Sequence, residues 1–163
     1  MTEPISRRPN RVPWPPIIYF LVVLVALILH RLWPQQLPLF LVPHWLLIVG
    51  IAAAAVGMLL DVAAMVALRR ARTTILPHRG SDRLVINGVF GLSRNPIYLG
   101  NTLALIGFGF VFGSIWLLAG ALLAGVLVDR LAIRREELHL TARFGAEFAK
   151  YVQHVPRWLG PRR

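Results

Sequence analysis

The sequence predicts an all-α integral membrane protein of about four transmembrane helices, with a cytoplasmic connecting loop and a C-terminal amphipathic helix. Three observations carry that expectation. Of 163 residues, 56% are hydrophobic and only 15% charged, where a soluble domain usually carries about 25% charged residues. The mean hydropathy is +0.62, and the apolar residues gather into long runs, which excludes both disorder and an ordinary water-soluble globule. The basic residues fall almost wholly on one side of those runs. The absence of cysteine excludes a disulfide framework, thiolate metal sites and a cysteine nucleophile.

Residues 1–16, with Pro4, Pro9, Pro13, Pro15 and Pro16, read as an irregular N-terminal tail. The first span is Ile17 to Leu29, reaching Trp33 if Arg31 directs its guanidinium to the headgroups. Trp33-Pro34-Gln35 follows instead of a small-residue cleavage site, so the segment reads as a span and not as a cleavable signal peptide. The second span runs from Trp45 to Leu68, interrupted only by Asp61, and exceeds the roughly 20 apolar residues a crossing needs. The third and fourth, Ile97 to Phe112 and Ile115 to Val128, are shorter and separated by the turn signal Gly113-Ser114. They form a tight helical hairpin if the fourth continues past Asp129 to Ile133, and a re-entrant pair if it does not; the turn signal favours the hairpin. After Arg134-Arg135-Glu136-Glu137, Leu140, Phe144, Phe148 and Val152 recur at i, i+4 spacing, the stripe of an amphipathic helix at the membrane surface.

A net charge of +11 points to nucleic acid until the basic residues are placed. Arg7, Arg8 and Arg11 precede the first span, and Arg69, Arg70, Arg72, Arg79, Arg83 and Arg94 join the second to the third. Arg130, Arg134, Arg135, Arg143, Lys150, Arg157, Arg162 and Arg163 follow the fourth, and Arg31 alone lies on the other side. The positive-inside rule then puts both termini in the cytoplasm, and the expected location is the inner or plasma membrane of a prokaryote. The charge is explained without a nucleic-acid partner, and any chemistry belongs at the cytoplasmic surface.

Leu92-Ser93-Arg94-Asn95-Pro96-Ile97-Tyr98-Leu99-Gly100 reads as the start of the third span, with Asn95 as N-cap and Pro96 in the first helical position. It is either a well-capped helix and nothing more, or an anion site that Arg94 strengthens, because unpaired N–H groups and the helix dipole favour negative charge there. Upstream, Leu84-Val85-Ile86-Asn87-Gly88-Val89-Phe90-Gly91 reads as a tight turn. It either packs under the helices or wraps a small ligand, with Phe90 stacked on it. Glu136-Glu137 is either a solvated helix end or a carboxylate pair for a cationic or hydroxyl-bearing ligand. Asp61, an acid within a span, is either functional or the partner of an arginine, and His78 is a weaker signal. The histidines show no metal-ligand spacing, so no metal site is expected.

The motifs together carry a resemblance. Thr73-Thr74-Ile75-Leu76-Pro77-His78, then Leu84-Val85 with Asn87-Gly88-Val89-Phe90, then Arg94-Asn95-Pro96-Ile97-Tyr98-Leu99-Gly100 are similar to the isoprenylcysteine carboxyl methyltransferase family. That family belongs with the phospholipid methyltransferases among integral-membrane, S-adenosyl-L-methionine-dependent enzymes. Glu136-Glu137, Phe144-Gly145, Glu147-Phe148, Tyr151 and Val155-Pro156-Arg157 continue the likeness, which covers 73–159. It implies one membrane domain, 1–163, with two N-terminal spans in 17–68 and a methyltransferase-like core in 69–159. It implies that S-adenosyl-L-methionine is held by Leu84, Val85, Phe90, Asn95, Pro96, Ile97, Tyr98 and Glu136, with Arg94 beside them. The methyl group would pass to a lipophilic acceptor, a carboxylate, amine or thiol. Asn95 stands where many relatives carry His, and Phe90 where many carry Tyr. Ala132 stands in place of the substrate-handling arginine of the eukaryotic carboxyl methyltransferases; Arg130 and Arg134, close by, are the expected catalytic residues.

The residue chemistry suits such a cofactor. A sulfonium is favourable near the faces of Phe90 and Tyr98, a carboxylate near the start of the third span, and an ammonium or ribose near Glu136. Methyl transfer demands positioning above all, with no metal and no covalent enzyme intermediate. The acceptor is expected to enter sideways from the bilayer, between the second span near Asp61 and the end of the fourth near Asp129 and Arg130. Gly100, Gly107, Gly109 and Gly113 are expected to form one packing seam on the third span. Two other readings stand beside this one: an NADPH-dependent membrane reductase of the sterol-reductase type, and a non-catalytic small lipid-binding subunit.

Overall fold

A computed structural model describes residues 14–34, 44–72 and 83–160, and its regular elements are all helical. Helix α1 is Trp14–Leu32, α2 His44–Arg70, α3 Pro96–Val111, α4 Ile115–Val128 and α5 Arg134–His154. A 3₁₀ turn, Gly88–Gly91, precedes α3, and a π-helical turn, Asp129–Ile133, joins α4 to α5. Three stretches are long and apolar enough to cross a membrane: α1, α2 and the continuous helix Ile115–His154, whose apolar part ends at Ile133. The 16-residue α3 is shorter; it rises about 24 Å against a hydrocarbon core of about 30 Å.

Several expectations need correction. Of the expected irregular tail, residues 1–13 lie outside the described residues, and Trp14, Pro15 and Pro16 belong to α1, where the first turn needs no N–H donors. The C-terminal amphipathic helix is not a separate element but runs on from α4 through the π turn. It breaks at Gly145, which has φ 49° and ψ −119°, a conformation open to glycine alone. The break resets the stripe: Phe148, Tyr151 and Val155 are buried with Leu84, Leu140 and Phe144 around them, while Val152 is exposed. The Gly113 turn conforms to expectation, with φ 59°, and Ser114 caps α4 by accepting from the Leu117 N–H.

The interior is built from small residues and the surface from large ones. On α2 the buried positions are Gly50, Ala54, Gly57 and Ala64, one face of a helix, while Ile48 and Leu59 are about two-thirds exposed. That arrangement suits a solvent as apolar as the side chains, in which helices associate by close backbone contact. A Cβ on Gly107 would lie 2.6 Å from the Gly50 carbonyl oxygen, and one on Gly57 would lie 2.5 Å from that of Gly100. The two helices are therefore antiparallel and nearly touch along their backbones. Gly109 faces Leu118 of α4 instead. Two residues from Gly107, it is turned by about 200° around α3. The expected single seam of Gly100, Gly107, Gly109 and Gly113 is thus split: two glycines meet α2, one meets α4, and Gly113 makes the turn. Accordingly α2 and α4 lie on opposite sides of α3, with α1 packed on α4.

Gly107→Val should destabilise the fold by about 1–3 kcal/mol, the range for overpacking. Gly125→Ala, whose added carbon would meet Thr102 no closer than 3.7 Å, should be tolerated. Thermal unfolding of both variants in detergent measures the contrast, with a lowered Tm expected for the first alone.

Candidate active site at the start of α3 and the end of α4

The residues before α3 are fastened to the chain after α5. Arg94 N–H donates to the Pro156 carbonyl at 3.0 Å. The Ser93 hydroxyl and the Asn95 amide both donate to the Arg157 carbonyl, at 3.1 and 3.0 Å. Ser93 and Asn95 are buried. Asn95 occupies the N-cap position, yet its side chain does not cap α3; the expected capping bond is replaced by the bond to Arg157. Tyr151 completes the attachment by donating to the Phe90 carbonyl at 2.6 Å.

Arg157 also binds through its guanidinium. Its Nε and Nη2 donate to the two oxygens of Glu137 at 3.0 and 2.5 Å, and Nη1 reaches Asp129 at 3.3 Å. Arg94 lies 2.8 Å from Glu137, and Arg134 lies 3.1 Å from Asp129. Two carboxylates and three guanidiniums thus form one chain across the start of α3, the π turn, α5 and the C-terminal strap. Arg94 is consequently tied to Glu137 instead of standing alone beside the helix end.

The adjacent acid behaves differently. Glu136 accepts a hydrogen bond from the Tyr98 hydroxyl at 3.2 Å and lies beyond the apolar part of the fourth span. Burial pushes its carboxyl up to about 7; the Tyr98 bond acts in the opposite direction and the charge of Glu137 reinforces the rise. Successive helical residues point about 100° apart, which is why one glutamate is spent on arginines and its neighbour faces Tyr98.

The other expected cofactor residues are placed as follows. Pro96 is fully buried at the first position of α3, and Ile97 packs against the main core. Leu84 joins the small core around Phe148, and Val85 and Phe90 are half-buried. Thr73 to Pro77 and His78 lie outside the described residues. Asp61 meets Gly100 across the α2–α3 contact, and its Oδ1 has no hydrogen-bond partner among the described residues. Ser93, Asp129 and Arg157 were not expected to carry the site, although Arg157 ends the motif Val155-Pro156-Arg157. No sequence spacing announces that its backbone and its guanidinium act in different directions.

Two clefts meet here. One, of about 390 Å³, runs between α3 and α4 past Thr102, Leu122, Gly125 and Val126 to Asp129, Arg130 and Arg134. The other, of about 400 Å³, is lined by Arg94, Arg134, Glu137, Phe148 and Arg157. Arg134 lines both. The seam expected between the second and fourth spans is not formed, because α3 stands between α2 and α4; the groove near Arg130 lies between α3 and α4. Among the described residues no group of three or more His, Asp or Glu converges as a metal site.

The profile of the phospholipid methyltransferases matches residues 45–147. The chain belongs to the phospholipid methyltransferase family. The match spans α2, α3, α4 and the first two-thirds of α5, and so contains Tyr98, Asp129, Glu136 and Glu137. Among curated relatives, the nickel-cobalt-cadmium resistance protein NccN of Alcaligenes xylosoxydans xylosoxydans is 33% identical over 139 residues, 85% of this chain and 59% of that protein. The cobalt-zinc-cadmium resistance protein CzcN of Cupriavidus metallidurans is 33% identical over 81 residues, 50% of this chain and 37% of that protein. An uncharacterised protein of Haemophilus influenzae is 35% identical over 63 residues, 39% of this chain and 79% of its own length. The chain therefore spans less than two-thirds of either resistance protein. No solved structure matches significantly.

In this member of the family, Glu137→Ala should lower stability by about 2 kcal/mol, the range for charged hydrogen bonds, because it strands Arg94 and leaves Arg157 with Asp129 alone. Arg157→Lys should recover little, since an ammonium cannot make the two-pronged contact. Thermal unfolding of both variants checks this.

Proposed function

We propose that the chain is a membrane-embedded, S-adenosyl-L-methionine-dependent methyltransferase acting on a lipophilic acceptor at the cytoplasmic membrane face. Beyond family membership, the carrying observation is the Tyr98–Glu136 pair, with Arg94 held by the next residue, Glu137. A carboxylate has about four acceptor positions, and Glu136 uses one of them on Tyr98. Arg94 Nε is a buried donor without a hydrogen-bond partner among the described residues. A ligand end bearing both an ammonium and a carboxylate satisfies the two together. S-Adenosyl-L-methionine has such an end and, when bound, supplies an electrophilic methyl group on sulfur.

The chain's own residues then orient and exclude. Tyr98 holds Glu136, Arg157 holds Glu137 away from it, and Leu84, Val85, Phe90 and Ile97 supply apolar walls. Asn95 and Pro96, buried beneath, set the shape of that wall and the start of α3. Arg130 and Arg134, the residues assigned to the acceptor, close the polar end of the α3–α4 groove. Arg134 also borders the cytoplasmic cleft, so a chain lying in the bilayer groove presents its head where the two clefts join. The family match favours methyl transfer over the hydride transfer of a sterol-type reductase. It likewise favours catalysis over a lipid-binding subunit.

Calorimetric titration tests the reading: adenosylhomocysteine should bind and NADPH should not. A ligand ammonium pairs with ionised Glu136, so affinity should rise with pH up to about 7 and level off above. Below that point it should fall by about tenfold per pH unit at the limit. Glu136→Gln should abolish this dependence; a pH-independent wild type would remove Glu136 from the ligand site.

The groove carries its own expectation. Gly125→Phe fills the space beside Thr102, and labelled-methyl transfer to extracted host lipids should drop by about tenfold, equivalent to about 1.4 kcal/mol. Adenosylhomocysteine affinity should be unchanged in the same variant.

A further inference from the structure

Tyr19 lies in α1, outside the residues that the family profile matches and outside every motif that points to the site. Helix α1 packs on α4, where a Cβ on Gly120 would stand 2.7 Å from Val22 Cγ1. The Tyr19 hydroxyl nevertheless reaches α3. It lies 2.9 Å from the Tyr98 carbonyl oxygen and 2.8 Å from Thr102 Oγ1. Thr102 itself donates to the same carbonyl at 2.8 Å.

Tyr98 is therefore held at both ends. Its backbone carbonyl sits in a clamp of two hydroxyls, and its phenol donates to Glu136 at 3.2 Å. In hydrocarbon no water replaces a lost partner, so the Tyr19 hydroxyl, which crosses from α1 to Tyr98 and Thr102 of α3, opposes rotation of α3 about its axis. It acts on the side away from α2, where the glycine contacts at Gly57 and Gly100 hold the other face. A rotation that released the Tyr98 carbonyl would swing its phenol off Glu136.

We infer that Tyr19 is a positioning residue for the Tyr98–Glu136 pair, so that α1 helps to build the site although the family profile does not reach it. The inference rests on the methyltransferase reading for its ligand-binding arm alone. Glu136 is acted on by Tyr98 from α3 and by Glu137 from its own helix; Arg94, from the loop before α3, is paired with Glu137. The Tyr98 bond favours ionised Glu136 and the Glu137 charge favours the neutral acid. Loosening Tyr98 therefore moves the Glu136 titration upward.

Tyr19→Phe removes the hydroxyl and keeps the ring, while Thr102 still satisfies the carbonyl. In ligand-free protein in lipid nanodiscs, the infrared band of the protonated Glu136 carboxyl, identified by its loss in Glu136→Gln, is followed against pH. The midpoint should move upward in Tyr19→Phe, in the direction of Tyr98→Phe, and Tyr19→Phe should add nothing in a Tyr98→Phe background. An unchanged midpoint, or an additive shift in the double variant, overturns the inference. In the second arm, adenosylhomocysteine at pH 8 should bind about fivefold more weakly to Tyr19→Phe, the factor one ordinary hydrogen bond supplies. Affinity equal to wild type overturns the inference as well. If wild type binds no adenosylhomocysteine while the infrared midpoints move as stated, the cofactor reading fails and the role of Tyr19 stands. Should Tyr19→Phe not fold, Tyr19→Leu, which also removes the hydroxyl and leaves Thr102 on the carbonyl, is read in the same two arms with the same expected shifts. No shift there overturns the inference.

Discussion

The backbones of α2 and α3 approach until no side chain fits between Gly57 and Gly100 or between Gly50 and Gly107, and the rest of the molecule is arranged around that contact. In a hydrocarbon solvent there is no gain in hiding leucine from lipid, so helices hold together by dispersion at short range and by the polar bonds they share. Glycine permits the first, and α3 collects the second. Its far side takes the Tyr19 hydroxyl, its first turn gives Tyr98 to Glu136, and the residues before it are tied to the Arg157 carbonyl. Helix α3 is thus held on several sides, and the site grows from its N-terminal end.

At that end the protein passes from lipid to water, and electrostatics take over from packing. Arg157 links Glu137 to Asp129, joining α5 to the end of α4. Because the same residue's carbonyl receives Ser93 and Asn95, charge pairing on one side and hydrogen bonding on the other place the C-terminal strap over the start of α3. Breaking a partly buried pair of this kind leaves a charge without compensation. The arginine-rich composition that reads as a topology signal therefore also has a local use. The adjacent glutamates divide the work: one neutralises arginines, and the other is left in a low-dielectric setting where its carboxyl titrates near neutrality.

The π-helical turn explains how a transmembrane helix can also furnish a surface site. An extra residue in the helical ladder turns the side chains that follow, so Ala132 and Ile133 remain in the core while Asp129 and Arg134 meet outside it. A straight α-helix through 129–133 would carry Glu136 and Glu137 to other azimuths. The Gly145 break then folds the last turns back, and Phe148 and Tyr151 cover the loop that contains Phe90. The α3–α4 groove and the cleft lined by Arg94 and Glu137 consequently share a wall at Arg134.

Sequence alone determined the apolar segments, the hairpin turn at Gly113 and the family motifs around Tyr98 and Glu136. These are short-range properties: hydropathy along a run, a glycine's tolerance of positive φ, the spacing within one helix. Tertiary structure alone decided which helices are neighbours. A glycine in an apolar run marks a close contact but not its partner, so Gly107 and Gly109 look alike in the sequence and meet different helices. It also decided the fates of Asn95, whose amide could cap α3 or reach across the fold, and of Glu136 and Glu137, equivalent as letters and about 100° apart as side chains. Tyr19 was invisible for the same reason. A tyrosine in a membrane span is unremarkable until another helix brings a carbonyl within reach, and distance in space is the one quantity that residue order does not record.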